Sequence, residues 1–262
     1  MSQLSILIRM DSFAFMTLDQ SEITQFVQVP WKSNPGSIKH LPLQELIALI
    51  DRFGLSKHGL ENVEVNLEGH STIVPAALFD PAQWWIYLQQ LHPELRRDDI
   101  CYLRYDQMVI VYAYPLGLRR VLSTMLPESL VRPFVASMLG FFDRASGGGD
   151  KLSAVHSNGQ LFLLMQSQGQ RRLVNRYTAT TTADVVYYAL LAADQLGLEP
   201  SSTSFRFAGS KPIVKEVRNL LAAHFLHFEV IDWVNGWRLP TNVIDPIEIF
   251  DLYCVQHENN LG

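Results

Sequence analysis

The sequence predicts an α/β chain in which one folding unit occurs twice. Two observations carry this expectation. Residues 1–67 and 151–233 each run through three strands, a helix and a further strand. Between them lies the glycine run of "SGGGDK", the strongest boundary signal in the chain, read as a hinge because it lacks the Gly-Lys-Ser/Thr ending of a phosphate loop. A length of 262 residues suits two units of ordinary size, and a composition 48% hydrophobic and 18% charged excludes a disordered chain.

In the first copy, "LSILIRM", "FAFMTLD" and "TQFVQVP" read as strands separated by short turns. Leu43, Leu46, Ile47, Leu49, Ile50 and Phe53 then fall at helical spacing, with Gly54 placed to stop the helix. The alternation in "VEVNLEG" predicts a strand with Val63, Val65 and Leu67 on one face. A less regular stretch follows, with a helix expected around Trp84 to Leu91 and a strand pair, "ICYLRY" and "MVIVYAY", about Asp106-Gln107. Two more helices are expected near Leu116 to Leu126 and Pro133 to Arg144.

The second copy is cleaner. Strands "LSAVHS", "QLFLLMQ" and "RLVNRYTA" precede the helix "ADVVYYALLAADQL", with Thr180 to Thr182 as capping candidates and Gly197 as its stop. Strand "SFRFAG", helix "IVKEVRNLLAAHF" and strand "FEVIDW" complete it. The order β-β-β-α-β-α-β is that of a ribonuclease H-like unit. Two such units in one chain, here 1–145 with an insertion and 146–262, are the plan of the actin-like ATPase fold.

Charge and cysteine usage bound the function. A formal net charge of −5 gives no general attraction to nucleic acid or to an anionic membrane surface. No apolar run reaches the roughly 18 residues a membrane span needs. The opening "MSQLSILIRMDSFAF" has no basic leader and is interrupted by Arg9 and Asp11, so it does not read as a signal peptide. Cys101 and Cys254 lie too far apart for a metal knuckle and read as unpaired thiols of a cytoplasmic protein.

The second copy carries a more specific likeness. Asn175, Tyr177, Thr180 to Thr182, Asp184, Tyr187, Tyr188, Gln195, Leu196 and Gly209 stand in the order found in a bacterial family typical of Bacteroidetes, domain of unknown function 3822. The opening "LSILIRMDSFAFMTLD" resembles that family's first hairpin, with Phe13 where a Gly-Leu is expected. The resemblance implies the actin-like ATPase fold and no particular activity, so function has to be argued from sites.

An active member of that fold binds ATP and Mg²⁺ with two hairpin turns and a glycine pair after a later strand, whose amide donors and metal stabilise phosphate charge. The candidates here are Asp11 and Ser12 in the first turn, Ser157, Asn158 and Gly159 in the second, and Gly209 and Ser210 after the later strand. Each departs from the active pattern. Residues 1–35 hold no glycine, so the first turn lacks ready access to the positive-φ shapes of a phosphate nest. Asn158-Gly159 between apolar runs signals a two-residue type I′ turn with little room for a phosphate. Lys211-Pro212 replaces the second glycine.

Three functions follow from this, in order. The first is a non-catalytic relative, a pseudo-ATPase, that binds another protein. The second is an ATPase or small-molecule kinase with a divergent phosphate site. The third is a nuclease using Asp11, Glu64, Glu68 and Asp106, which needs carboxylates converging on two metals. His224 and His227 form a His-x-x-His pair with no third ligand nearby in sequence. The aromatic-rich stretch holding Trp84 and Trp85 is the candidate partner surface, since adjacent tryptophans on a helix point about 100° apart and aromatic side chains dominate interface hot spots.

Overall fold

The structure, a computed structural model, describes residues 2–19, 22–33, 35, 37–56, 62–144, 149–157, 159–167, 170–225, 227–231, 238–243 and 245–256. The chain divides into two compact units. One comprises Met1–Gly140, Arg238–Pro240 and Leu252–Gly262, and the other Phe141–Trp237 and Thr241–Asp251. Most of the glycine run between the two copies, Gly147 and Gly148 included, lies outside the described residues.

The first unit begins with strands β1 (Ser2–Arg9), β2 (Ser12–Asp19) and β3 (Glu22–Pro30), helix α1 (Leu43–Arg52) and strand β4 (Asn62–Glu68). An insertion follows: β5 (Ser71–Pro75), the single turn α2 (Ile86–Gln89), β6 (Ile100–Tyr105) and β7 (Met108–Ala113). Helix α3 (Leu116–Met125), β8 (Leu130–Pro133) and α4 (Phe134–Arg144) close the series, α4 running past the unit's limit at Gly140. The main sheet has the order β3-β2-β1-β4-β8, antiparallel through the hairpins and parallel between β1, β4 and β8. Alternation along β1 sends Leu4, Ile6 and Ile8 to one face, where they meet Phe13, Phe15, Val65 and the stripe Leu46, Leu49 and Ile50 of α1. The insertion makes a separate three-stranded sheet, β5-β7-β6.

The second unit repeats the plan without the insertion. Strands β9 (Lys151–Ser157), β10 (Gln160–Ser167) and β11 (Gln170–Thr178) lead to α5 (Thr182–Gln195), β12 (Ser204–Ala208), α6 (Lys211–Leu221) and β13 (His227–Val230). Their sheet, β11-β10-β9-β12-β13, has the same order and the same mixture of antiparallel and parallel pairs. A last helix, α7 (Phe250–Gln256), follows.

The two expected helix stops are real and built alike. At Gly54 (φ +65°) and Gly197 (φ +62°) the chain turns left-handed, and the next residue's N–H, Leu55 or Leu198, reaches back to Ile50 or Ala193. This is the Schellman arrangement, which satisfies carbonyls that a helix end leaves open. The N-terminus of α5 is the expected threonine cap: Thr181 Oγ1 accepts from the Asp184 N–H while Asp184 reaches back to the N–H groups of Thr180 and Thr181.

Three local expectations need correction. The helix expected around Trp84 to Leu91 is only Ile86–Gln89, because the turns that precede it bond as isolated i→i+3 turns. Strands β5 and β8 were not expected; β8 is four residues long and ends in Pro133, a residue that reads against a strand except at a sheet edge. The first turn is Met10-Asp11, not Asp11-Ser12, because Ser12 already belongs to β2.

Candidate functional site

In the first hairpin, among the described residues, no residue stands at positive φ. The turn is closed by Trp31 instead. Its backbone N–H donates to the Asp11 carbonyl at 3.0 Å and its indole N–H to the Arg9 carbonyl at 3.0 Å. The Asp11 carboxylate accepts from the Ser12 hydroxyl at 2.8 Å, and Ser12 itself is buried.

In the second hairpin Ser157 pairs with Gln160 across the ladder and Gly159 has φ +69°, as a two-residue turn requires; Asn158 lies outside the described residues. The Ser157 hydroxyl donates to Asp251 at 3.3 Å, and both residues are buried. His156 donates through Nε2 to the Ala179 carbonyl at 2.8 Å, so its ring ties β9 to the connection between β11 and α5.

After β12, Gly209 answers a packing need. A Cβ there would sit 3.1 Å from the Phe207 ring and 3.7 Å from the His156 carbonyl. Ser210 is the residue before α6 and makes no capping bond through its side chain. The α6 end is served by Asp245, whose carboxylate accepts from the Lys211 N–H at 3.3 Å and from the Ile247 N–H at 3.2 Å. Thus carboxylates from the chain itself, Asp251 and Asp245, stand at the second turn and at the helix start. Sequence reasoning missed both, since neither lies near those elements in the chain.

The other sequence candidates do not assemble. Glu68 pairs with buried Arg9 at 2.9 Å, Glu64 is buried in β4, and Asp106 forms the β6–β7 turn at φ +50°. Among the described residues these carboxylates and Asp11 form no group that could hold a metal, and neither do His224 and His227. The group that can is His70, His92 and Glu94. Burial pushes the Cys101 thiol up, against the opposing pull of Arg119, which disfavours the thiolate. Burial likewise pushes Tyr114 up to about 12.

The aromatic stretch forms one cluster of touching rings. Phe79 lies 5.7 Å from Tyr87 and 5.0 Å from Tyr102 (centroid distances), and Tyr102 lies 6.0 Å from Trp84, which meets Trp85 edge-on at 5.1 Å. The Arg97 guanidinium sits over both indoles, 4.9 Å from Trp84 and 4.1 Å from Trp85. Both tryptophans are half-buried, packed on the first unit's core on one side, while Tyr102 stays 40% and Leu78 71% exposed. A cavity of about 360 Å³ opens elsewhere in this unit, lined by Lys39, Arg96, Asp98 and Leu116 among others. In its lining the Asp99 carboxylate accepts from the backbone N–H groups of Arg96 and Leu116, and Arg119 donates to the Asp98 main-chain carbonyl.

Two mixed α/β units of one strand order define a protein of the actin-like ATPase fold. A solved structure of a Bacteroides thetaiotaomicron protein with that fold and unknown function matches with a TM-score of 0.71 at 17% identity, over 96% of this chain and 95% of that one. The chain belongs to the family described as Protein of unknown function (DUF3822), which matches residues 1–228. Weaker likenesses include the PilM–PilN type IV pilus biogenesis complex (TM-score 0.49, 12% identity, 97% of this chain and 96% of that one). Another is the ethanolamine utilization protein EutJ from Carboxydothermus hydrogenoformans (TM-score 0.47, 7% identity, 97% and 89%). No curated protein matches the chain. Among the described residues no helix is long and apolar enough to cross a membrane.

Proposed function

We propose that this chain is a non-catalytic member of the actin-like ATPase fold, a pseudo-ATPase that binds another protein in the cytoplasm through the surface of Leu78, Phe79, Trp84 and Tyr102. The observation that carries the reading is the chain's own use of its phosphate-facing groups. A nucleotide needs free amide donors and a positive field at these turns. Here Asp245 occupies the Lys211 N–H and Asp251 the Ser157 hydroxyl, so an approaching phosphate meets carboxylates where it needs donors. The first turn's carbonyls are held by Trp31. An aromatic surface crossed by an arginine, with Leu78 projecting beside it, has the composition of an interface hot spot.

Calorimetric titration with Mg²⁺-ATP tests the first half, and no saturable heat is expected. Saturable binding that Asp11→Asn or Asp251→Asn alters would overturn the proposal in favour of a divergent ATPase or kinase. The second half is tested by crosslinking in cells with Leu78→Ser and Tyr102→Ser. Both are surface changes, so the melting temperature should hold while crosslinked partners disappear. Partners retained at wild-type levels would remove this surface from the proposal.

A further inference from the structure

Three side chains from two distant points of the first unit meet with their ligand atoms within 4.8 Å of one another: His70, and His92 with Glu94. His70 follows β4 at the corner into β5, while His92 and Glu94 lie beyond α2 in the insertion. Nε2 of His70 stands 3.7 Å and Nδ1 of His92 3.6 Å from the same oxygen of Glu94. Those separations are too long for hydrogen bonds, which would close to about 2.8 Å. They are close to the edge of a tetrahedron around zinc, about 3.3 Å for ligand bonds of about 2.0–2.1 Å. The two imidazoles stack with centroids 3.7 Å apart and planes 28° from parallel. Binding one ion would require the rings to turn out of that stack about χ2 until both nitrogens face it.

The scaffold that presents the three groups is stiff. The corner is pinned by the Ala113 N–H on the His70 carbonyl at 2.9 Å. Its neighbour Gly69 has no room for a side chain, since a Cβ would lie 2.8 Å from Ile38 Cδ1. On the other arm, the Lys39 ammonium donates to the Glu94 main-chain carbonyl at 2.5 Å, which fixes the backbone that carries the carboxylate and adds one nearby positive charge. His70 is mostly covered, with 17% of its side chain exposed, whereas Glu94 is 42% exposed. One side of the group therefore faces solvent, where water completes the coordination.

We infer that His70, His92 and Glu94 form a site for a divalent transition-metal ion of the zinc class. Two neutral imidazoles and one carboxylate make a borderline donor set, which takes zinc in preference to calcium or magnesium. The bound ion ties the β4–β5 corner to the insertion that carries the aromatic surface. The site uses none of the residues of the proposed partner surface or of the nucleotide turns, so the two proposals stand or fall separately.

The test is titration of the full chain, without an affinity tag and after treatment with a chelator, using ZnCl₂ followed by calorimetry and thermal melting. One ion per chain and a raised melting temperature are expected, with no response to MgCl₂ or CaCl₂. Imidazole signals of two histidines should shift together in NMR spectra. His92→Ala and Glu94→Gln, both at partly exposed positions, should each weaken binding by about tenfold or more, while His224→Ala with His227→Ala leaves it unchanged. Binding that survives His92→Ala and Glu94→Gln, or that disappears with the His224 and His227 pair, overturns the assignment. So does the absence of any stoichiometric binding to the wild-type chain.

Discussion

The two units share a strand order and differ in what they do with it. Taking β1 with β9 and β4 with β12, the neighbours Ser5 and Glu64 in the first unit correspond to Ser153 and Arg206 in the second. All four are buried, so both sheets carry a polar pair at the same place, with opposite charge. The core sides diverge more. Val63 and Val65 of β4 correspond to Phe205 and Phe207 of β12, and the second core gathers Phe205, Phe207, Phe225 and Phe228. In the first unit the large rings come from β2 instead, as Phe13 and Phe15. One topology thus tolerates different divisions of core volume among its strands, provided the facing helix stripe is filled.

The sharpest way to break this correspondence is to empty the matched core positions. Phe207→Ala should cost about 3–5 kcal/mol, because a fully buried ring leaves a cavity among other rings. Val65→Ala removes two carbons and should cost roughly 1.5–2 kcal/mol. Denaturant unfolding of both variants measures the difference. Equal losses would mean that the two matched positions carry equal load, and the claim that the units divide their core volume differently would fail.

A smaller effect tests the matched helix ends. Gly54→Ala and Gly197→Ala place a Cβ at φ +65° and +62°, and each should cost about 1 kcal/mol. Nothing lies within 4 Å of a Cβ at Gly197, so strain there comes from the backbone alone. Gly159→Ala, in the second hairpin, should cost a similar amount, since the nearest atom, Thr180 Cγ2, is 3.9 Å away. Asp11→Asn in the matching turn keeps an acceptor for the buried Ser12 hydroxyl and should stay within about 0.5 kcal/mol, there being no left-handed residue to strain. Should Asp11→Asn prove the costlier change, the contrast drawn between the turns is wrong.

Much of this fold could be read from the chain, and the reasons are local. Gly54, Gly197, the threonines before α5, Gly159 and Asp106 each act through local structure, so their signals survive in a single sequence. Strand β8 did not, because four residues ending in Pro133 carry no periodicity and form a strand only when β4 supplies the partner. The site was less legible still. Asp245 and Asp251 reach the start of α6 and the second hairpin from a distant segment, and His70 meets His92 and Glu94 only once the insertion folds back. His92-x-Glu94 has no motif spacing that would draw notice.

The smallest expected effect separates the two first helices by pH. Helix α5 begins with the Thr181–Asp184 capping box, whereas α1 begins at Pro42 with no capping bond from a side chain. The backbone N–H of Thr181, then its hydroxyl exchange with Asp184, and the N–H of Thr180 hold the Asp184 carboxyl below the usual carboxylate range. A carboxyl whose folded value is depressed stabilises the fold above its unfolded value, and that contribution fades as pH falls through the folded one. Asp184 lies at the surface with its side chain only partly covered, so the contribution is small and weakened further by salt. Asp184→Asn keeps an acceptor for the Thr180 and Thr181 amides but cannot ionise. Wild type should therefore exceed this variant in melting temperature at neutral pH, and the gap should narrow through the acid range and close once the carboxyl is protonated. A gap that stays constant on acidification would mean that the cap works by hydrogen bonding alone, without its charge, and the electrostatic difference between the two helix starts would then be lost.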